Sequence, residues 1–160
     1  MKLSLSWIKD YVNIPEDADL KKLAYDLTMS TVEVEDVEEL ARRFDNMVVG
    51  VIEKIEPHPN ADKLRVCKVD IGGGEIKDIV CGGINLKEGM RVAVSCPGAV
   101  VRWHGEGEPV VIKNSKLRGV ESYGMICASD EIGLGELFPA EQEAEILDLS
   151  AFDVPAGTSL

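Results

Sequence analysis

The stretch MVVGVIEKIEPHPNADKLRVCKVDIGGGEIKDIVC, residues 47–81, decides the fold. Met47–Glu56 is rich in β-branched residues and stops at Pro57-His58-Pro59-Asn60, which predicts a strand ended by a proline turn. Cys67, Val69 and Ile71 then alternate with Lys68 and Asp70, the period-two pattern of a half-buried strand. Gly72-Gly73-Gly74 reads as a turn, because no Lys-Ser/Thr pair and no GxGxxG accompany it as a phosphate loop would require. Ile76–Cys81 reads as a third strand. Downstream, Arg91–Val94, Val110–Ile112 and Gly124–Ala128 have the same character, and Ile146–Leu149 is one more strand candidate. Short strands at close spacing, with Gly/Pro turns and no long helix between them, predict a small closed barrel.

Upstream the pattern changes. Lys2–Ser6 alternates weakly, as a short strand would, and Ser6 is placed to cap a turn carrying Trp7, Ile8, Tyr11 and Val12 on one face. After Pro15, the spacing of Leu20, Leu23, Ala24 and Leu27 predicts a helix that ends at Ser30-Thr31. Acids ahead of it suit the N-terminal dipole. Val32 and Val34 alternate with Glu33 and Glu35, which predicts a half-buried strand. The fold class is therefore mainly β, with an α+β flank.

At 160 residues the chain fits one domain, or one domain and part of another. With 45% apolar and 29% charged residues it is ordinary for a globular protein, and 5% aromatics leave the core mostly aliphatic. The formal charge of -12 is unevenly spread: residues 1–57 sum to −6, residues 58–118 to +3, and residues 119–160 to −9 with no Lys or Arg. Any phosphate-binding surface is therefore local to the middle island. Cys67, Cys81, Cys96 and Cys127 contain no CxxC, which argues against a zinc knuckle. The N-terminus lacks a long apolar core and a small-residue cleavage site, and no stretch approaches the ~20 apolar residues of a membrane span. These features predict a cytoplasmic protein with buried, reduced thiols.

Three ordered motifs carry a resemblance: His58-Pro-Asn-Ala-Asp-Lys-Leu64, Ile79-Val-Cys-Gly-Gly-Ile-Asn85, and Lys116-Leu-Arg-Gly-Val-Glu-Ser-Tyr-Gly-Met125, the last ahead of Ile132-Gly-Leu134. Together, over about residues 44–139, they resemble the tRNA-binding OB-fold domain shared by several synthetase-associated proteins. Leu5-Ser-Trp-Ile-Lys-Asp-Tyr-Val12, the Leu20–Leu27 helix and Val32–Val37 resemble the start of the bacterial phenylalanyl-tRNA synthetase beta subunits. The resemblance implies a five-stranded OB-fold barrel, residues 41–149, inserted in a small α/β domain. Residues 1–40 would be that domain's first half, resumed from about 150–160 and beyond. It also implies a fragment of a longer subunit. The family's catalytic core lies in a partner alpha subunit, and ATP and Mg²⁺ serve the full enzyme, with no cofactor expected in this segment. The implied partners are tRNA(Phe) and that alpha subunit, with no membrane and no DNA.

An OB-fold binds oligonucleotides through a basic groove and stacking surfaces. The island offers Lys63, Arg65, Lys68, Lys113, Lys116 and Arg118, and strand parity puts Lys116 and Arg118 on one groove. With Asn85, Ser122 and Met125 from the motifs, these form the candidate nucleic-acid site: Lys63, Arg65, Asn85, Lys113, Lys116, Arg118, Ser122 and Met125. Each has a plainer alternative: a solvated strand face for the cations, loop hydrogen bonding for Asn85, core packing for Met125. Arg102-Trp103-His104 is an aromatic with basic neighbours, able to stack on a base or pack on the barrel rim. Where the family has a shorter Leu-Pro-Gly type turn, Val101–Glu108 here adds Glu106 and Glu108. His58 and His104 lack the further ligands a metal needs. Ser122 has no adjacent base and lies in no G-x-S-x-G. The expected role is non-catalytic: docking of tRNA within the ligase. The alternatives are a bracing module of the beta subunit without RNA contact, and a freestanding homodimeric tRNA-binding protein.

Overall fold

The computed structural model describes residues 3–15, 17–37 and 39–160, and divides the chain into two units, Met1–Glu39 and Leu40–Leu160. No helix among the described residues is long and apolar enough to cross a membrane.

The first unit holds two helices, α1 (Leu5–Ile8) and α2 (Leu20–Ser30). Leu5 and Ser6, expected in a strand, begin α1 instead, and its N-cap is Ser4 rather than Ser6; Lys2 lies outside the described residues. Asp19 caps α2, its Oδ1 accepting the Lys21 and Lys22 N–H groups at 2.9 and 3.1 Å and so satisfying donors that have no partner inside the first turn. The helix ends where predicted, at Thr31, whose hydroxyl donates to Leu27 O at 3.1 Å. Leu20, Leu23, Ala24 and Leu27 share one face and are half-buried, and no side chain of α2 is fully buried. The Val32–Glu35 strand does not form. Val34 N–H is taken by the Thr28 hydroxyl at 3.0 Å, a local side-chain contact that competes with a ladder.

The second unit is mainly β, a nearly closed five-strand antiparallel barrel of OB-fold type. Its strands are β1 (Met47–Pro57), β2 (Arg65–Asp70), β3 (Ile76–Cys81), β4 (Arg91–Ser95) and β9 (Met125–Ile126), in the order β3-β2-β1-β4-β9. Two short ribbons join it: β5 (Val100–Val101) with β6 (Val110–Val111), and β7 (Ser115–Leu117) with β8 (Val120–Ser122). β1 is long enough to serve two partners, β4 along Met47–Val51 and β2 along Val51–Pro57. The register shifts between Ile52 and Lys54, a bulge of the kind that bends a strand around a barrel. At Gly50 the strands crowd: a Cβ there would lie 2.6 Å from Val94 and 2.7 Å from Val69. β3 meets the other end through Tyr123 N–H donating to Asp78 O at 2.9 Å.

Strand parity sorts the core into two clusters. Ile52, Cys67, Val69, Ile79, Val92, Val94 and Ile126 pack together. Met47, Val49, Ala93, Val101, Ile112, Cys127 and Leu147 pack on the opposite side of β1 and β4. β4 is thus covered on both faces. Ile146–Leu149 is not a strand. It makes one bridge, Val92 to Asp148, and donates Leu149 N–H to Arg91 O at 2.8 Å. Residues 150–160, grouped with residues 1–40 by the sequence reading, lie in this second unit. Gly157 N–H donates to Val49 O and Val49 N–H to Thr158 O, both at 2.8 Å.

Candidate nucleic-acid interface

A cleft of about 830 Å³ runs between β3 and the β7–β8 hairpin. Lys68, Ile76, Lys77 and Asp78 form one wall, and Lys116, Glu121, Ser122 and Tyr123 the other. Lys68 and Asp78 are register partners, and their side chains meet at 2.9 Å. That hydrogen bond, and Asp78's charge, push the Lys68 ammonium above its usual range. Lys77 bonds Glu75 at 2.9 Å, which likewise raises it, and its Nζ stands 4.9 Å from the centre of the Tyr123 ring. Such a cation over a ring face is weakly attractive where water reaches it. Ile76 is 57% exposed at the cleft edge. The cleft therefore offers three ammonium groups, two carboxylates, one aromatic ring and one open apolar side chain.

Lys116, in the middle of β7 opposite Glu121, is exposed and has no ion pair among the described residues. Lys63 and Lys113 are also exposed and without ion pairs among the described residues. Arg118 is not on a strand. It and Gly119 form the hairpin turn, with φ of 46° and 97°. Two positive-φ residues in a two-residue loop suit the right-handed twist of a hairpin. The parity argument linking Lys116 to Arg118 therefore fails: Arg118 stands at the tip, and its carbonyl accepts from Asn60 Nδ2 at 3.0 Å.

The remaining candidates are engaged in hydrogen bonds or packing. Arg65 Nη1 donates to the carbonyls of Asp62 and Leu64, both at 2.9 Å. Asn85 spends its side-chain amide on Ile146: Nδ2 donates to Ile146 O and Oδ1 accepts Ile146 N–H, both at 2.9 Å. Ser122 is 1% exposed; its Oγ accepts Val80 N–H and donates to Gly124 O, both at 3.0 Å. Met125 is half-buried and packs on the second core cluster. Trp103 sits in a short 3-10 turn, Trp103–Gly105, 51% exposed, with Glu106 and Glu108 exposed beside it.

The cleft brings together Lys116 and Ser122 from the sequence-derived set, with Lys68 of the basic island. It adds residues outside that set, among them Ile76, Lys77 and Tyr123. Tyr123 had a signal, because it lies within the Lys116–Met125 motif. Ile76 and Lys77 had none beyond their place in a strand. Across the chain, the three motifs prove to be spatial neighbours: His58 and Asn60 bond the hairpin tip, and Ser122 bonds β3.

Residues 47–158 match the family described as "Putative tRNA binding domain". The phenylalanine–tRNA ligase beta subunit of Cupriavidus pinatubonensis is 47% identical over 137 residues, 85% of this chain and 17% of that protein. The same subunit of Coxiella burnetii is 43% identical over 160 residues, 100% of this chain and 18% of that protein. The chain thus spans less than a fifth of the length of these curated relatives. Among solved structures, a MetRS related protein from Pyrococcus horikoshii superposes with a TM-score of 0.52 at 23% identity, covering 78% of this chain and 98% of that one. At that identity the likeness speaks to the fold.

Proposed function

This chain belongs to the tRNA-binding domain family, and from that premise we propose that it is the non-catalytic, RNA-docking region of a phenylalanine–tRNA ligase beta subunit. The observation that carries this reading is the cleft between β3 and the β7–β8 hairpin, where Lys68, Lys77 and Lys116 converge in a chain whose charge is otherwise strongly negative. Strands 2 and 3 of an OB-fold are the usual oligonucleotide face. Ammonium groups there act as point charges on phosphates. Tyr123 and Ile76 offer apolar surface to an unstacked base.

On this reading tRNA(Phe) is the nucleic-acid partner, the alpha subunit is the protein partner, and the cytoplasm is the compartment. ATP and Mg²⁺ belong to the ligase as a whole. Among the described residues of this chain, no group of three or more His, Cys, Asp or Glu side chains is arranged to hold a metal.

The test is tRNA binding by fluorescence anisotropy over a salt series, wild type against Lys116→Glu/Arg118→Glu. Contact of this kind has a Kd of about 10⁻⁴–10⁻⁶ M at physiological salt, and log affinity falls linearly with log salt. The double reversal flattens that slope if RNA meets the hairpin. Equal slopes would remove RNA from this face. They would favour the bracing role, which the cation-free segment 119–160 otherwise supports.

A further inference from the structure

His58 is 6% exposed, and both ring nitrogens are engaged. Nδ1 accepts the Asn60 N–H at 3.1 Å. A nitrogen that accepts carries no proton, so the neutral ring holds its proton on Nε2. Nε2 lies 3.1 Å from Leu117 O, which can only accept. The two contacts therefore agree on one tautomer, assigned from the hydrogen-bond pattern. Asn60 Nδ2 completes the arrangement by donating to Arg118 O. The hairpin so held has three residue pairs, Ser115 with Ser122, Lys116 with Glu121 and Leu117 with Val120. An isolated two-stranded hairpin is marginal in water, so where this one stands depends on its anchors. At its tip the anchors are His58 and Asn60.

We infer that His58, as the neutral Nε2–H tautomer, is a positioning residue for RNA: it latches the Lys116/Arg118 hairpin to the barrel, and a second proton on its ring opens the latch and weakens binding. This rests on the reading that the hairpin wall meets RNA. A proton on Nδ1 sets N–H against the Asn60 N–H. The 58–60 turn opens, and Asn60 loses its reach to Arg118. The Nε2–H bond to Leu117 O survives, so the tip loosens without leaving. Asp62 and Arg65 line the same small cleft as His58, and Lys116 and Arg118 flank the carbonyl that its ring reaches. Simple electrostatics has the opposite sign: a protein made more positive by acid binds RNA more tightly.

The experiment measures tRNA anisotropy with the 160-residue chain at fixed salt, at about pH 7.5 and at about pH 5.5. Wild-type affinity falls about five-fold, the worth of one lost hydrogen bond. His58→Gln keeps a donor for Leu117 O and cannot titrate, so its affinity has a flat pH profile. His104→Gln removes the other histidine and keeps the fall. Glu131→Gln keeps it too; burial pushes that carboxyl upward from its ordinary value. Asn60 amide exchange in the wild type reports the latch without RNA, protected at the upper pH and exchanging freely at the lower. Affinity that rises on acidification, a fall that persists in His58→Gln, or an Asn60 amide protected at both pH values overturns the latch while leaving the RNA face in place. No binding at either pH overturns the RNA face and this inference together.

Discussion

Val80 and Ser122 share a buried hydrogen bond: Val80 N–H donates to Ser122 Oγ at 3.0 Å across 42 positions of sequence. The hydroxyl in turn donates to Gly124 O at 3.0 Å. β3 is thereby tied to the hairpin whose other strand carries Lys116. A residue that reads from sequence as a possible RNA contact instead fixes the distance between the two walls of the cleft.

Replacing Ser122 with Ala leaves the Val80 N–H buried without an acceptor. An orphaned donor of this kind costs about 1–3 kcal/mol. The expected result is a lower urea midpoint with an unchanged m-value, because the surface exposed on unfolding is the same. A midpoint equal to the wild type's would show that water replaces the hydroxyl and that the tie is not structural.

Gly50→Ala tests the crowding on β1. The added methyl meets Val94 Cγ2 at 2.6 Å and Val69 Cγ1 at 2.7 Å, and both valines are fully buried. Valine has little rotamer freedom with which to yield. Overpacking of this sort costs about 1–3 kcal/mol, and about 1 kcal/mol moves Tm by roughly 2–4 °C in a chain of this size. Calorimetry should show a loss of several degrees. An unshifted Tm would mean that the β1–β4 and β1–β2 contacts are looser than they stand here.

The barrel was legible because β1 to β4 each carry their own signal. Cys67 and Val69 alternate with polar residues along β2, and β1, β2 and β3 pair in sequence order, while β4 returns to β1. Elements whose pairing is made late and by few bonds were not legible. Ile146–Leu149 has a strand's composition but only scattered partners, Cys127 O and Arg91 O among them. Val32–Glu35 alternates correctly, yet Thr28 takes the Val34 N–H. At the site, charge alone found Lys116. Parity misplaced Arg118, because the hairpin turns at that residue. Lys77 and Tyr123 come together only through the closure of β3 on a segment over forty residues downstream.

The thiols give a chemical test of the core. Burial pushes Cys67 and Cys127 up to about 12 and Cys81 to about 11, and raises the half-buried Cys96. A thiol reagent consumes thiolate, so Cys96 should label first in the native chain, and the other three only on unfolding. The same shifts set a pH dependence. Folding favours the neutral thiols, so their contribution is fully present below the ordinary value of 9.0 and is lost as pH rises from there toward about 12. The urea midpoint should hold steady from about pH 7 to 8 and fall in more alkaline solution. Rapid native labelling at Cys67 would contradict the placement of β2 in the core.

The Lys68–Asp78 pair allows a gain of binding to be tested rather than a loss. Both side chains are well exposed, 39% and 51%, so their contact adds little to stability. Its effect is local: Asp78 holds the Lys68 ammonium beside β3 and places a negative charge in the cleft that a phosphate would have to approach. Asp78→Asn removes that charge and frees the ammonium, while the backbone carbonyl that accepts Tyr123 N–H is untouched. The expected outcome is tighter tRNA binding, by a few-fold, with unchanged thermal stability. If Lys68 then neutralises one more phosphate, the slope of log affinity against log salt steepens by about 0.9 for duplex or 0.7 for single-stranded contact. Lys116→Glu alone should move both quantities the other way, since Lys116 has no ion pair among the described residues to lose. An Asp78→Asn chain with wild-type affinity and slope would place RNA on the hairpin wall alone, with β3 outside the contact.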